Sequence, residues 1–171
     1  GYVLTNAHVV AGTERVALDT VVGVKPAQVV LFDPDTDIAV LRAEELGLPE
    51  LRWADDELAV GDDAVVMGHP RSGPFEAVPV RIRGKLEIAG PDIYTTGRVE
   101  REAYTIRGNI RQGNSGGPLL NPEGEVAGMI FGASLDTSET GYALTAHQVQ
   151  QRVGDVRSLT RPADTQACVS G

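Results

Sequence analysis

A serine, a histidine and an aspartate of this 171-residue chain occur in settings that suit nucleophilic catalysis. Ser115 lies among small residues in the segment Gly113–Pro118, and both His8 and Asp37 precede it. A serine hydroxyl barely ionises near neutral pH, so an imidazole must take its proton and a carboxylate must orient that imidazole. The three residue types therefore predict a catalytic triad of His8, Asp37 and Ser115.

The segment around Ser115 also predicts an oxyanion hole made of backbone groups. Gly113 tolerates backbone angles that a side chain would forbid, which would let neighbouring N–H groups converge on one point. Each such donor is typically worth roughly 3 kcal/mol of the barrier to acyl transfer. We assign this site to Gly113, Asn114 and Ser115, with the N–H groups of Gly113 and Ser115 as the donors.

The same segment matches Gly-x-Ser-x-Gly, the nucleophile elbow of α/β-hydrolases, in which an acid and then a histidine follow the serine. Asp136 and His147 would complete that order. An elbow must be followed by a helix, whereas Ser115 is followed by Gly-Gly-Pro, and glycine and proline resist that helix. The pattern therefore favours a triad of Ser115 with His8 and Asp37 over one with Asp136 and His147.

Three aspartates compete for the orienting role, because Asp33, Asp35 and Asp37 lie close together. Asp33 and Asp35 flank a proline in what we expect to be an exposed turn. Asp37 directly precedes the apolar run 38–41, which predicts a buried strand. A carboxylate at the edge of a buried strand needs a charged or hydrogen-bonding partner, and His8 is the natural candidate. The alternative is that Asp37 only caps a turn.

His8 follows a predicted strand at 2–5 and lies where a short helical turn would begin and Gly12 would end it. A rigid apolar segment could thus aim the His8 ring. The alternative for His8 is an ordinary surface histidine. His69 and His147 have no matching partner pattern, and we expect both to be structural or solvated.

The elements that must position these residues are short β-strands separated by glycine, proline and aspartate turns. Besides 2–5, strands are predicted at 15–18, 27–32, 38–41, 64–67, 78–86, 103–106 and 125–131. Many short strands with almost no helix predict an all-β fold built from barrels. One helix is expected to begin at Thr145, whose hydroxyl would cap it while Gln148 reaches back, and to end at Gly154.

Three segments, 2–10, 37–41 and 113–120, resemble the trypsin-like (chymotrypsin-fold) serine peptidases of bacteria. Segments 68–75 and 104–112 resemble the actinobacterial MarP type, a membrane-anchored periplasmic acid-resistance protease. HtrA proteases are near neighbours that normally continue into a PDZ domain. The resemblance implies a serine endopeptidase that acts outside the cytoplasm on proteins or peptides without a cofactor, anchored by an N-terminal transmembrane region absent from this chain. An HtrA-like quality-control protease and a catalytically inactive binding module are the alternatives.

The resemblance implies one peptidase domain over residues 1–171, with two six-stranded antiparallel β-barrels of the chymotrypsin type and a C-terminal helix. The expected parts are a first barrel at 1–43, a connection at 44–61, a second barrel at 62–145, and the helix and tail at 146–171. In this fold two strands precede the one that leads to the catalytic histidine. We therefore expect an N-terminally truncated first barrel, which an upstream extension would stabilise.

The resemblance also places substrate as an added strand in the cleft between the barrels. The residues expected to offer backbone hydrogen bonds to it are Ile130, Phe131 and Gly132. The side-chain pocket is expected to be lined by Asn109, Ile110, Thr140, Gly141 and Tyr142. Because position 109 is not acidic, a trypsin-like demand for arginine or lysine is not expected.

The chain has 24 acidic and 15 basic residues and a formal net charge of -9. Nucleic acid is not an expected partner, because binding it requires a clustered positive surface. The acidic excess serves solubility or, alternatively, a mild preference for cationic substrates, which predicts a salt-dependent rate. No stretch approaches the roughly 20 apolar residues of a membrane helix, so we expect any anchor to lie outside this segment. The oligomeric state stays open.

Cys168 is the single cysteine of the chain. It cannot supply a four-ligand zinc site, and we expect no metal. A lone cysteine in an exported protein predicts a disulfide with a cysteine elsewhere, for which the upstream segment is the candidate. Such a bond would stabilise the fold by roughly 2 to 4 kcal/mol. A free or buried thiol is the alternative.

Overall fold

The computed structural model describes residues 1–170, which form two compact units. The first unit contains residues 1–50, 90–99 and those from 152 onward, and the second contains 51–89 and 100–151. The boundaries expected from the sequence, at residues 43, 61 and 145, stay a prediction. Within residues 1–170, no helix combines the length and the apolar character needed to cross a membrane.

An open antiparallel sheet of four strands, in the order β1-β4-β3-β2, builds the first unit. Its elements are β1 (Tyr2–Thr5), the one-turn helix α1 (Ala7–Val10), β2 (Val16–Thr20), β3 (Gly23–Asp33) and β4 (Ile38–Arg42). Residues 38–41 of β4 are all buried, because β4 lies between β1 and β3 and is covered on both faces. The carboxyl end of β3 and the start of β4 are joined by the turn that contains Asp37.

Six strands close a barrel in the order β10-β7-β6-β5-β8-β9. They are β5 (Asp63–Gly68), β6 (Glu76–Pro91), β7 (Arg98–Arg107), β8 (Pro118–Leu120), β9 (Val126–Ala133) and β10 (Thr140–Thr145). Buried side chains from all six strands fill the barrel, namely Ala64, Val66, Val80, Ile82, Tyr104, Ile106, Leu119, Ile130 and Ala143. The loop between β7 and β8 carries Ser115.

The helix α2 (Ala146–Val153) follows β10, and a 3₁₀ turn at Val156–Ser158 comes after it. The Thr145 hydroxyl accepts a hydrogen bond from the Gln148 N–H at 3.1 Å, as predicted for its N-cap. The expected return contact from the Gln148 side chain is wrong, because its Oε1 accepts from the Glu102 N–H at 3.0 Å instead. Gly154, with φ of 62°, follows the last helical residue.

The all-β class, with a closed six-stranded barrel and a C-terminal helix, is confirmed. Each predicted strand overlaps an observed one, whereas β8 and β10 were not predicted. β8 has only three residues and begins with a proline, and β10 follows a polar turn, so neither shows the apolar run on which strand prediction depends.

Candidate active site

His8 and Asp37 lie together in the first unit and contact each other at two points. The His8 Nδ1 and the Asp37 Oδ2 are 2.6 Å apart, and the His8 backbone N–H donates to Asp37 Oδ1 at 2.9 Å. The Asp37 side chain is almost fully buried, while one third of the His8 side chain is exposed. A buried carboxylate that accepts from Nδ1 leaves Nε2 as the proton acceptor of the ring.

The backbone at Asp37 is left-handed, with φ of 61°, which few non-glycine residues adopt. Its carbonyl oxygen accepts a hydrogen bond from Asn6 Nδ2 at 2.9 Å, and the Asn6 side chain is fully buried. Asn6 is also the N-cap residue of α1, the helix that carries His8. One side chain therefore links the turn that presents the acid to the start of the helix that presents the imidazole.

Asp33 was expected in an exposed turn, and this expectation is wrong. Its residue is 7% exposed, and its carboxylate accepts from the Asp35 N–H at 3.1 Å, from the Thr36 hydroxyl and from Arg152 Nε. Burial alone would raise the pKa of Asp33, but the hydrogen bonds from Thr36 and Arg152 and the Arg152 charge hold that pKa below its usual value. Asp35 is exposed, as expected.

Ser115 lies in the second unit, on a loop in which some backbone N–H groups are paired and others are not. The N–H groups of Asn114, Gly116 and Gly117 donate to the carbonyls of Arg111, Ile130 and Asn114 at 3.0, 2.8 and 2.9 Å. Within residues 1–170, the N–H groups of Gly113 and Ser115 have no acceptor. Two neighbouring free donors beside a serine are what an oxyanion hole requires.

Gly113 has φ of 98°, and a Cβ atom there would lie 2.6 Å from the carbonyl oxygen of His69 and 2.8 Å from the backbone nitrogen of Arg71. The loop therefore accepts only glycine at this position. Asn114 is fully buried, and its Oδ1 accepts from the Arg111 N–H at 3.0 Å. Because its own backbone N–H is already paired, Asn114 supplies no backbone donor to the predicted oxyanion hole, although its side-chain Nδ2 has no hydrogen-bond partner among the described residues.

Of the three residues expected to receive a substrate strand, Ile130 must be corrected. Its N–H donates to Gly117 and its carbonyl accepts from Gly116, so both backbone groups are occupied by the Ser115 loop. Phe131 forms a β-bulge with no partner on β10, because Ile130 pairs with Ala143 and Gly132 pairs with Tyr142. The Phe131 ring has the Arg101 guanidinium 5.8 Å from its centroid and the centroid of the Tyr142 ring at 6.3 Å.

The residues expected to line the side-chain pocket partly pack against each other. A Cβ atom on Gly141 would lie 2.6 Å from Ile110 Cγ1, so the Ile110 side chain rests on the Gly141 backbone. Asn109 is exposed, and its Oδ1 accepts from Arg111 Nε at 3.1 Å. The carbonyl of Thr140 accepts from the Ser134 N–H at 2.9 Å.

The geometry excludes the nucleophile elbow. The residues after Ser115 lead into the strand β8 and not into a helix. His147 is largely exposed and its Nδ1 lies 3.5 Å from Glu102 Oε1, while Asp136 is exposed on another loop. His69 Nδ1 lies 3.1 Å from the Gly73 carbonyl and its ring meets Phe75 edge-on, which is a structural role.

Cys168 is exposed and lies in the C-terminal tail, which packs on the turn after α1. The Gly12 N–H donates to the Thr165 carbonyl at 2.9 Å, and the Thr165 hydroxyl donates to the Thr13 carbonyl at 2.6 Å. A Cβ atom on Gly12 would lie 2.7 Å from the Cys168 nitrogen. Within residues 1–170, no group of three or more His, Cys, Asp or Glu side chains is placed to hold a metal ion.

Sequence reasoning missed Asn6, Asp33 and Arg152. An asparagine directly before a short helix suggests an N-cap, but in the part of the chain that the structure describes the Asn6 side chain makes no capping hydrogen bond and donates to the Asp37 carbonyl instead, a contact that no local signal predicts. The proline beside Asp33 pointed to an exposed turn, and nothing in the sequence connected Asp33 to an arginine so far along the chain.

Comparison with known proteins agrees with this geometry. Residues 1–129 match the family model described as "Trypsin-like peptidase domain". The chain is 45% identical over 171 residues to the serine protease Rv3671c of Mycobacterium tuberculosis, which covers 98% of this chain and 42% of that protein. It is 36% identical over 135 residues to a Chlamydia pneumoniae protein named "Probable periplasmic serine endoprotease DegP-like", which covers 75% of this chain and 26% of that protein.

The crystal structure of the Rv3671c protease from M. tuberculosis in its active form matches with a TM-score of 0.95 at 44% identity. The match covers 99% of this chain and 74% of that one. The chain spans less than half the length of the two curated relatives described above. The predicted resemblance to the chymotrypsin fold, with MarP-type and HtrA-like relatives, is confirmed. By sequence and by fold, this chain belongs to the trypsin-like peptidase family.

Proposed function

We propose that the chain is the protease domain of a serine endopeptidase that uses His8, Asp37 and Ser115 as its catalytic residues. The observation that carries the proposal is the two-point contact of the buried Asp37 carboxylate with His8. A carboxylate that only capped a turn would not also hold an imidazole nitrogen at 2.6 Å. The contact fixes the tautomer that general-base catalysis requires.

In the proposed reaction, His8 Nε2 takes the proton of the Ser115 hydroxyl while Oγ bonds to the carbonyl carbon of the peptide. The carbonyl oxygen becomes an oxyanion, which the free N–H groups of Gly113 and Ser115 stabilise. Protonated His8 then gives its proton to the leaving amine as the C–N bond breaks, which leaves an acyl-enzyme. A water molecule, deprotonated by His8, hydrolyses that ester and restores the serine.

We propose that substrate adds as a strand beside β9, with Phe131 and Gly132 as its backbone partners. The bulge at Phe131 supports this, because a residue that has lost its register partner is the natural point of contact for an added strand. The Ile110 side chain on Gly141 favours an apolar substrate side chain over a charged one, with Asn109 and Thr140 as polar neighbours.

We also propose that the substrates are proteins outside the cytoplasm and that the intact protein is membrane-anchored through a segment not included in this chain. The periplasmic assignment in the name of the Chlamydia relative supports the location. The exposure of Cys168 supports a disulfide with a cysteine outside this chain. Titration of free thiols in the oxidised intact protein tests the bond, since one reactive equivalent per chain would exclude it.

A fluorophosphonate probe tests the proposed chemistry, because a serine that a base has activated displaces its fluoride and becomes phosphonylated. We expect one adduct per chain, located on Ser115 by peptide mass mapping, and none in Ser115→Ala. His8→Ala should remove labelling while the chain stays folded by circular dichroism. Ser134→Ala is the matched control, since Ser134 lies on an exposed turn of the same unit and should label as the unsubstituted chain does.

Absence of labelling in a folded chain would contradict the proposal and favour a catalytically inactive binding module. If labelling occurs, digestion of an unfolded and a folded form of one protein separates the two protease alternatives. Cleavage of the unfolded form alone would favour an HtrA-like quality-control role, and cleavage of specific sites in folded proteins would favour a MarP-like one.

A further inference from the structure

Asp33 occupies an unusual position for an aspartate beside a proline, since it is buried at the end of β3. Two of its contacts are local, from the Asp35 N–H and the Thr36 hydroxyl, and such contacts are ordinary in turns. The third contact comes from Arg152 Nε, 119 residues further along the chain at the end of α2. A turn does not need a distant cation, and a buried carboxylate without one would be destabilising.

The turn that Asp33 begins ends at Asp37, whose backbone is left-handed. Such a conformation is unfavourable for most non-glycine residues and persists where surrounding contacts impose it. At the Asp37 end of the turn, the contacts are those with Asn6 and His8. At the Asp33 end, Arg152 donates to the Asp33 carboxylate, and the Pro34 carbonyl accepts from the Ile93 N–H at 3.2 Å.

We propose that Asp33 and Arg152 form a positioning pair that fixes the turn 33–37 and so sets the orientation of the Asp37 carboxylate toward His8. The pair touches neither substrate nor reacting atoms and acts through Asp37. The inference rests on the proposed function for its catalytic consequence, although the geometry that it concerns lies wholly within the first unit. It differs from plain stabilisation because it requires the His8–Asp37 hydrogen bond to change when the pair is broken.

The direct test is the proton NMR signal of the His8 Nδ1–H, which a short hydrogen bond to a carboxylate moves far downfield. Asp33→Asn keeps the size of the side chain and one oxygen that can accept from the Asp35 N–H. It removes the negative charge beside Arg152 and the second oxygen, which accepts from both Thr36 and Arg152. We expect this variant and Arg152→Gln to broaden or shift the signal. Arg152→Lys, which keeps the positive charge, should change the signal less than Arg152→Gln does. Asp155→Asn is the control. It breaks another aspartate–arginine pair of the first unit, between the exposed Asp155 and Arg157, and should leave the signal unchanged.

The kinetic test separates positioning from binding. Misplacement of a catalytic group by about 1 Å costs about 100-fold in rate, so we expect kcat to fall between tenfold and 100-fold in Asp33→Asn while KM stays within about twofold. The double variant Asp33→Asn/Arg152→Gln should lose no more than the worse single variant, because both remove one interaction.

Loss of stability in Asp33→Asn with an unchanged His8 signal and unchanged kcat would overturn the proposal and leave a structural ion pair. If Ser115 fails to label in the unsubstituted chain, but Asp33→Asn still shifts the His8 signal, the proposed function fails and the positioning pair stands. If Asp33→Asn is too unstable to fold, Arg152→Gln takes its place, and an unaltered His8 signal in that variant would count against the pair.

Discussion

Asp37 shows at the scale of one residue how a strained conformation can be tied to a chemical role. Its left-handed backbone is unfavourable, yet the carbonyl meets Asn6 and the carboxylate meets His8, so three contacts converge on one residue. In the proposed reaction the charge of Asp37 has two tasks, which are to select the His8 tautomer and to stabilise the imidazolium.

Asp37→Asn should therefore leave the fold intact and slow the fluorophosphonate labelling of Ser115 by about 10⁴-fold, because an amide can donate to Nδ1 and select the wrong tautomer. The measurement is the second-order labelling rate at neutral pH. Asp35→Asn is the control, since Asp35 is exposed two residues away. A loss of less than about tenfold in Asp37→Asn would remove Asp37 from the proposed triad.

Gly113→Ala should abolish the free donor arrangement beside Ser115, because the new methyl group would collide with the backbone of His69 and Arg71. Loss of one oxyanion donor costs about 3 kcal/mol, so we expect kcat to fall by at least about 100-fold. Gly124→Ala is a matched control in the same unit. Gly124 also has a positive φ, of 81°, but a Cβ atom there meets nothing within 4 Å. Equal kinetic loss in both variants would contradict the collision argument.

The sequence could predict which residue types belong together, but not every contact that places them. His8, Asp37 and Ser115 were proposed from their chemistry, and the structure brings His8 and Asp37 into contact. Ile130 was misassigned because a strand pattern does not show which of its backbone groups already have partners. Asp33 was misassigned because its partner Arg152 lies 119 residues further along the chain, and local turn preferences cannot predict such a long-range contact.

At the scale of elements, the segment 92–97 between β6 and β7 holds the C-terminal tail. The Tyr94 hydroxyl donates to the Ala167 carbonyl at 2.8 Å, and the tail in turn pairs with Gly12 through Thr165. Tyr94→Phe should loosen the tail by about 1 kcal/mol, which corresponds to about fivefold faster hydrogen exchange at the Gly12 amide.

Tyr2→Phe is the control for that variant, because the Tyr2 hydroxyl donates to the carbonyl of Leu159, outside the part of the tail that pairs with Gly12. Its Gly12 amide should exchange at the rate of the unsubstituted chain. Unchanged exchange at Gly12 in Tyr94→Phe would contradict this role of Tyr94. It would leave the tail held by Thr165 and by Ala163, whose N–H donates to the Val29 carbonyl at 2.8 Å.

The elements themselves were predictable where an apolar run is long and poorly so where it is short. β4 is recognisable because four consecutive apolar residues that follow a turn predict a buried strand. β8 contributes three residues to the barrel, and its place is set by pairing with β5 and β9, which the sequence of β8 alone cannot express. The N-cap of α2 was predictable because the Thr145 contact is local.

For the whole molecule, three carboxylates with lowered pKa values are expected to contribute to a loss of stability in acid. The pKa of Asp33 is held below its usual value although burial opposes this, that of Asp92 is lowered by the hydrogen bonds of Thr96, and that of Asp155 by its hydrogen bond with Arg157. A carboxylate with a lowered pKa binds fewer protons when folded than when unfolded. Its stabilising effect is complete above the ordinary aspartate pKa of about 3.9 and is lost as the pH falls through the folded value.

Two tyrosines are expected to contribute to a loss of stability at alkaline pH, because their pKa values are raised in the folded chain. Burial raises the pKa of Tyr104 and that of Tyr94 above the usual value. Each holds its proton longer when folded, so its contribution is complete below about pH 10 and is lost as the pH rises through the folded value. We therefore expect the free energy of unfolding from urea titrations to be insensitive to these five groups between about pH 5 and pH 9 and to fall on both sides.

The two losses of stability are separable by substitution, because different groups cause them. Asp33→Asn should flatten the fall in unfolding free energy below about pH 4 while leaving the fall above about pH 10 unchanged. Tyr94→Phe should flatten the alkaline fall and leave the acid one, since phenylalanine has no proton to lose. The buried Tyr104 accepts a hydrogen bond from the Leu58 N–H at 3.1 Å, so its replacement would also break a barrel contact and is less informative. If the unfolding free energy of Asp33→Asn fell in acid with its full slope, the prediction would be wrong. The pKa of Asp33 would then be the same in the folded chain as in the unfolded chain.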